Sequence, residues 1–494
     1  MGEVVTNMTS IWGNSLSGID QGPLQQDLQT QVLIIGAGMA GILLADSLRQ
    51  RGVPVVLVDA GLPASGQTCR TTAKITAQHG ALYSTLEETL GAQQAAQYAA
   101  ANRQAVERYA QLVRQRGISC GLVRCPAFLY SVADAGAMQR EAAAQQRAGL
   151  GARFTTGTEL PFPVAGAVEV KGQARFHPLQ FLTALAQPLT IYSHSRVLRV
   201  EGCCAQLENG RTITARQIVF ACHYPFVNAP GFYFARMHQE RSYVLALQGA
   251  MQPRGMYLGV DPENGWSLRT AGEFLLFGGA GHRTGENRAG GRYDALLQKA
   301  RELWPGCTPA ARWSAQDCMT LDGMPYIGIF APSQPNWYVA TGFGKWGMTG
   351  SMVAAMVLAP LLCGEAPPFG GLFSPSRFTP AASAGAFAHD AAHAVRDLSR
   401  QWFGAARVAA DALPLGHGGV VEVEGEKVGA YRAPGGEFYF VSTRCPHLGC
   451  QLEWNPDEKS WDCPCHGSRF DFRGQLLDGP AQRSILLDGP VTPE

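Results

Sequence analysis

Gln31-Val-Leu-Ile-Ile35 is a short apolar run with no polar alternation. Such a run suits a strand buried on both faces of a parallel sheet. Gly36-Ala-Gly38-Met-Ala-Gly41 follows and opens a helix that carries Ala45 and Leu48 and stops at Gly52; a second apolar strand, Val53 to Val58, ends at Asp59. Two alanine- and glutamine-rich stretches, Leu86 to Gly117 and Ala133 to Gly149, read as amphipathic helices with glycine as stop signals. With Val168 to Ala186 and Met237 to Gly279 they predict a second domain interleaved with the first unit. Met348 to Cys363 is the most apolar later stretch, but Thr349, Ser351 and Pro360 interrupt it. It is shorter than the roughly 20 residues that span a bilayer, and predicts a buried helix. Pro367, Pro368 and Pro375 open a linker that carries a helix from Ala384 to Ala406.

A chain of 494 residues suits two or three domains of about 150 residues each. Its 40 basic residues against 39 acidic ones provide no field for nucleic acid or an anionic membrane, which favours small-molecule chemistry. Met1 to Asp27 lacks the basic start and apolar run of a secretory leader and has no twin arginine, so a cytoplasmic location is expected. Of 13 cysteines, nine are scattered through the first 363 residues, as small buried hydrophobes in a reducing compartment would be. The other four lie between 445 and 465 and need another explanation.

They form two hooks, Cys445-Pro-His447-Leu-Gly-Cys450 and Cys463-Pro-Cys465-His466-Gly-Ser468. Each can give one thiolate and one imidazole to the same centre, and a Rieske [2Fe-2S] cluster takes two Cys on one iron and two His on the other. The ligands are then Cys445, His447, Cys463 and His466, with Cys450 and Cys465 left over. Structural zinc also suits Cys and His at these spacings, but gives no role to the extra cysteines or to Gly449, Gly467 and Ser468. Residues 408 to 494 resemble Rieske proteins of the cytochrome bc type. That resemblance implies a disulfide between Cys450 and Cys465 and a third, proline-bearing loop at Gly479-Pro480-Ala481. It also implies a raised potential from Ser468, tempered because Phe470 stands where high-potential members have tyrosine.

Strand, glycine turn, helix, strand and terminal acid together form a dinucleotide fingerprint: Gly36, Gly38 and Gly41 admit the pyrophosphate at a helix N-terminus and Asp59 takes a ribose hydroxyl. Four later segments resemble the D-amino-acid oxidase, glycine oxidase and sarcosine oxidase superfamily, which selects FAD. They are Thr68 to Gly80, with Thr71, Thr72 and Ala73 along the flavin; the strand at Val197 with Ala215 to Pro225, similar to the strand closing the FAD-binding sheet; Trp313 to Gly328, with Asp322-Gly323-Met-Pro325; and Trp337 to Thr349. In the last, Gly342, Gly344, Gly347, Met348 and Thr349 form a glycine turn whose N–H groups would face the pyrimidine edge of the flavin. Thr71-Thr-Ala-Lys-Ile-Thr-Ala-Gln-His-Gly80 resembles the group that joins such a domain to a Rieske domain.

The expected architecture is an α/β Rossmann-like FAD-binding domain with an interleaved α+β substrate domain, plus a small all-β Rieske domain. Its divisions are an N-terminal extension at 1–29, the oxidoreductase domain at 30–378, a linker helix at 379–407 and the Rieske domain at 408–494. The resemblance implies oxidation of an amine or amino acid, with electrons passing from FAD through the cluster to an unidentified acceptor. An O₂-dependent oxidase, a reductase fed by a donor through the cluster, and a non-enzymatic electron carrier are the alternatives; the long interleaved insertions argue against the carrier. The lysine that helps O₂ react in sarcosine-type oxidases has no counterpart in Phe274 to His282. Candidate catalytic groups are Lys74 and Lys345, either able to substitute for it, His282, and Arg241 as a partner for a substrate carboxylate. His389 and His393 read as a solvated helix face, and Cys318, near where some relatives attach flavin, as an apolar contact.

Overall fold

The structure is a computed structural model that describes residues 9–16, 18–263, 265–369, 371–377, 379, 383, 409–423 and 425–487. The helix read at Ala384 to Ala406, with its two histidines, lies outside the described residues.

The apolar run becomes strand Leu28–Ile35, whose last four residues are all buried. It pairs in parallel with Val55–Val58 on one side and Thr212–Phe220 on the other. Gln334–Thr341 and Tyr326–Ala331 extend the sheet beyond Thr212–Phe220. The strand that resembled a closing element is therefore central, because the hairpin 326–341 covers its outer edge. Helix Met39–Gln50 packs against helix Gly347–Leu362, nearly all of which is buried as its apolar composition requires. No helix among the described residues is long and apolar enough to cross a membrane.

The interleaved segments build a nine-stranded sheet with Met237–Gln248 between Thr308–Thr320 and Phe274–Arg283. The stretch read as one helix from Leu86 to Gly117 is two, Tyr83–Leu90 and Ala92–Arg116. Gly91 at φ +92 is the break, a conformation that glycine adopts without a Cβ penalty.

The C-terminal unit has a three-stranded sheet, Gly418–Val423, Glu426–Arg432 and Phe438–Ser442, and a four-stranded one built from residues 453–478. Tyr431, Trp454, Trp461 and Phe470 fill the core between them. This unit docks on the large sheet through buried polar contacts. Glu458 accepts from Arg241 at 2.9 Å, Ser314 at 2.6 Å and Tyr293 at 2.7 Å. Asp457 accepts from the backbone N–H groups of Gly291 and Arg292, so an acid of one domain caps a helix of the other.

Candidate functional site: a flavin cavity walled by the cluster domain

A cavity of about 1470 Å³ runs from the glycine turn to the large sheet. Small-molecule sites span about 300–1,000 Å³, so this one has room for a dinucleotide and a substrate together. At one end lie Gly36, Gly38, Asp59 and Val197. The turn cannot be built with other residues: a Cβ on Gly36 would stand 2.5 Å from Ala221 O, and one on Gly41 would stand 1.9 Å from Gly36 O. Helix Met39–Gln50 starts at Gly38, which has no side chain to cap it, and no acid stands in its first turn; Thr68 Oγ1 accepts from Met39 N–H at 3.0 Å, and the N–H groups that follow are left for an anion. Asp59 accepts from the N–H of Ala37 at 2.8 Å and of Gly61 at 2.9 Å. Burial raises its pKa, and these two bonds oppose the shift.

At the other end Thr71, Thr72, Lys74, Gly342, Gly344, Lys345, Gly347, Met348 and His282 line the cavity. Lys74 Nζ donates to Tyr257 O and Ser267 Oγ, both at 2.7 Å. Burial, then repulsion from Arg269, lowers its pKa to about 7. Lys345 pairs with Glu240 at 3.1 Å, and burial raises the pKa of neighbouring Asp317 to about 6. His282 Nε2 lies 3.0 Å from Tyr243 Oη. Glu240 and Asp317 face each other across paired strands, a juxtaposition with no local trace in the sequence. The third wall belongs to the C-terminal unit: Leu476 to Gln482, including Gly479-Pro480-Ala481, line the same cavity.

In that unit the thiols of Cys445 and Cys463 hydrogen-bond each other, and the Nδ1 atoms of His447 and His466 face each other at 3.3 Å. Two sulfurs on one side and two imidazole nitrogens on the other are the donor set of a Rieske cluster. Cys450 and Cys465 are paired with each other, and the Cys465 sulfur lies within 4.8 Å of the Cys463 sulfur. The Ser468 hydroxyl accepts from Ala481 N–H at 3.0 Å and hydrogen-bonds the Cys445 sulfur.

Residues 31–361 match the family model for FAD dependent oxidoreductases called DAO, and residues 405–488 match that for the Rieske [2Fe-2S] domain. The chain belongs to the DAO family of FAD-dependent oxidoreductases. Its cofactors are FAD and a [2Fe-2S] cluster, and the glycine cradle and the two-plus-two donor set fit them. Over 477 residues, 94% of each chain, the oxidoreductase is 35% identical to the Bacillus subtilis protein YhfW, described as a putative Rieske 2Fe-2S iron-sulfur protein. A glycine oxidase structure from Geobacillus kaustophilus aligns with TM-score 0.60 at 20% identity, covering 71% of this chain and 99% of that one. An L-proline dehydrogenase structure from P. horikoshii aligns with TM-score 0.59 at 16% identity, covering 71% and 98%.

Some residues read as site residues stand elsewhere in the oxidoreductase. Strand alternation sends Glu240 and Ser242 to the cavity and Arg241 to the opposite face, where its guanidinium meets Ser314, Gln316 and Glu458. Arg241 is therefore an interdomain anchor, not a partner for a substrate carboxylate. Ala73 and Thr349 stand behind the wall: Ala73 O accepts from Arg269, and Thr349 bonds His79 Nε2 and Thr76 O. Cys318 is buried, lines the cavity and contacts Met237 Sδ at 3.8 Å.

Proposed function

We propose that the enzyme dehydrogenates an amine or amino acid at FAD and passes the electrons through its own Rieske cluster to an external acceptor. The observation that carries this reading is the shared cavity: Leu476 to Gln482 of the cluster domain form a wall of the space that the flavin fingerprint opens. That wall carries the loop whose Ala481 N–H bonds Ser468, so it brings the cluster's own surroundings to the flavin cavity, as electron exchange between the two requires. The fold shared with a glycine oxidase and an L-proline dehydrogenase supports the substrate class. FAD, when bound, takes two electrons from the carbon next to nitrogen, and the cluster accepts one at a time. The residues position the substrate, and the first chemical requirement on them is to take the ammonium proton.

Lys74 is the group best suited to that proton. A pKa of about 7 leaves much of it uncharged at neutral pH, and its hydrogen bonds to Tyr257 O and Ser267 Oγ fix its position in the wall. Flavin reduction should therefore accelerate as pH rises through about 7. In Lys74→Met it should slow by about 10²–10⁴-fold and lose that limb. A higher KM with the pH limb intact would make Lys74 a substrate anchor and not a base.

The relay is tested by mixing enzyme with a panel of amines and amino acids without oxygen. A substrate that bleaches the flavin should then raise the electron paramagnetic resonance signal of the reduced cluster. A flavin that bleaches while the cluster stays oxidised for minutes would overturn the direction of flow.

A further inference from the structure

His447 does not end in solvent. Its Nδ1 faces His466, while its Nε2 lies 2.6 Å from Oδ1 of Asn228 on the flavin domain. An amide oxygen only accepts, so the proton sits on Nε2 and Nδ1 is left as the ligand atom. Asn228 is itself held in place, since its carbonyl accepts from Phe232 N–H at 3.1 Å. The ring of Phe234 stands edge-on to both imidazoles, with centroids 6.5 Å from His447 and 5.9 Å from His466. Gln239 donates to His466 O at 2.6 Å, and Gln316 to Gly467 O at 2.7 Å. The flavin domain thus grips the histidine side of the cluster site with neutral amides and one aromatic ring.

We propose that Asn228 is a positioning residue for the cluster, accepting the Nε2–H of His447 across the domain boundary and so setting that ligand's orientation and the cluster's reduction potential. A hydrogen-bond acceptor on the outer nitrogen makes an imidazole a stronger donor to its metal, which favours the oxidised state. The potential then depends on docking: it falls when the domains close on one another and rises when they part. A carboxylate at 228 would strengthen the effect, and an apolar side chain would abolish it. The inference needs the cluster but not the direction of electron flow, so it stands apart from the relay.

The test uses the full holoenzyme. The cluster potential is titrated for Asn228→Leu and Asn228→Asp at pH 8, with the g values of the reduced signal recorded alongside. Asn228→Leu should raise the potential and Asn228→Asp should lower it, each by on the order of tenfold in the one-electron equilibrium, which is 59 mV. Arg288→Ala is the control, because its pair with Glu453 crosses the same boundary without bonding a cluster ligand; its potential should match the parent. Unchanged potentials and g values in both Asn228 variants would overturn the proposal, as would shifts of the same sign in both. Loss of the cluster from both with FAD retained would also overturn it, by making Asn228 an assembly residue. A shift in Arg288→Ala equal to that in Asn228→Leu, with hydrogen exchange at the interface unchanged, would overturn the specific role, because that variant stays docked and keeps the bond to His447.

Discussion

Replacing Glu458 with leucine is expected to separate the two domains while leaving each cofactor in place. Arg241 is fully buried, and Glu458 is the acid that its guanidinium meets; Ser314 and Gln316 are neutral. Removing one member of a buried ion pair costs about 3–5 kcal/mol, because the other charge is left without a partner in a dry environment. The docked state can avoid that cost only by opening to water. At about 1.4 kcal/mol per tenfold, the docking equilibrium should shift by about two to three and a half orders of magnitude. Hydrogen exchange should then accelerate at residues 279–292 and 453–460, while FAD and cluster absorbance persist. Cluster reduction by substrate should slow in parallel, whereas flavin reduction should keep its rate unless the lost wall at Leu476 to Gln482 also weakens substrate binding. Unchanged exchange at both segments would show that the pair does not hold the domains together.

The same pair predicts how docking responds to acid. Burial alone would raise the Glu458 carboxyl, but Arg241 and Arg469 outweigh it and lower its pKa to about 2. Arg469 stays beside Glu458 when the domains part, so only the share of the depression due to Arg241 belongs to docking; that share is present above the undocked pKa and is lost as pH falls toward about 2. Docking through Glu458 is therefore at full strength at neutral pH, and acid is what loosens it.

The parts of this enzyme legible in its sequence are those whose chemistry is local. The turn Gly36-Ala-Gly38-Met-Ala-Gly41 is readable because one tight bend needs all its glycines within six residues, where a Cβ on Gly41 would meet the carbonyl of Gly36. The two hooks, Cys445-Pro-His447 and Cys463-Pro-Cys465-His466, are readable for the same reason: each ligand pair sits on one short loop. The interface was not readable. Arg241 and Glu458 are 217 residues apart, and an arginine on a strand has no mark that distinguishes a substrate anchor from a domain anchor until the partner strand and its alternation are known. Gly479-Pro480-Ala481 could be placed beside the cluster by resemblance, but its presence in the flavin cavity follows from docking alone. Thr349 illustrates a finer loss: its place at the glycine turn was legible, yet its hydroxyl turns to His79 and Thr76 because that segment packs behind it.

Gly38→Val should give a folded enzyme without FAD. Among the three glycines of the fingerprint, this one separates cofactor binding from folding. A Cβ at Gly36 or Gly41 runs into backbone at 2.5 Å or 1.9 Å, so substitution there breaks the turn whether or not FAD is present. At Gly38 the nearest atom to a Cβ is Thr68 Oγ1 at 3.2 Å, which a small side-chain shift relieves, and the φ of −84° is open to any residue. The space that valine would fill is therefore the cavity itself, at the start of helix Met39–Gln50, where the pyrophosphate needs the backbone N–H groups within reach. The purified variant should lack the yellow flavin absorbance and keep the brown cluster signal, because the donors at Cys445, His447, Cys463 and His466 lie in the other domain. Thermal unfolding should remain cooperative but shift downward by the lost binding energy of FAD. Full FAD content in Gly38→Val would mean that the pyrophosphate lies away from this turn, and the assignment of Gly36, Gly41 and Asp59 to the cofactor would fall with it.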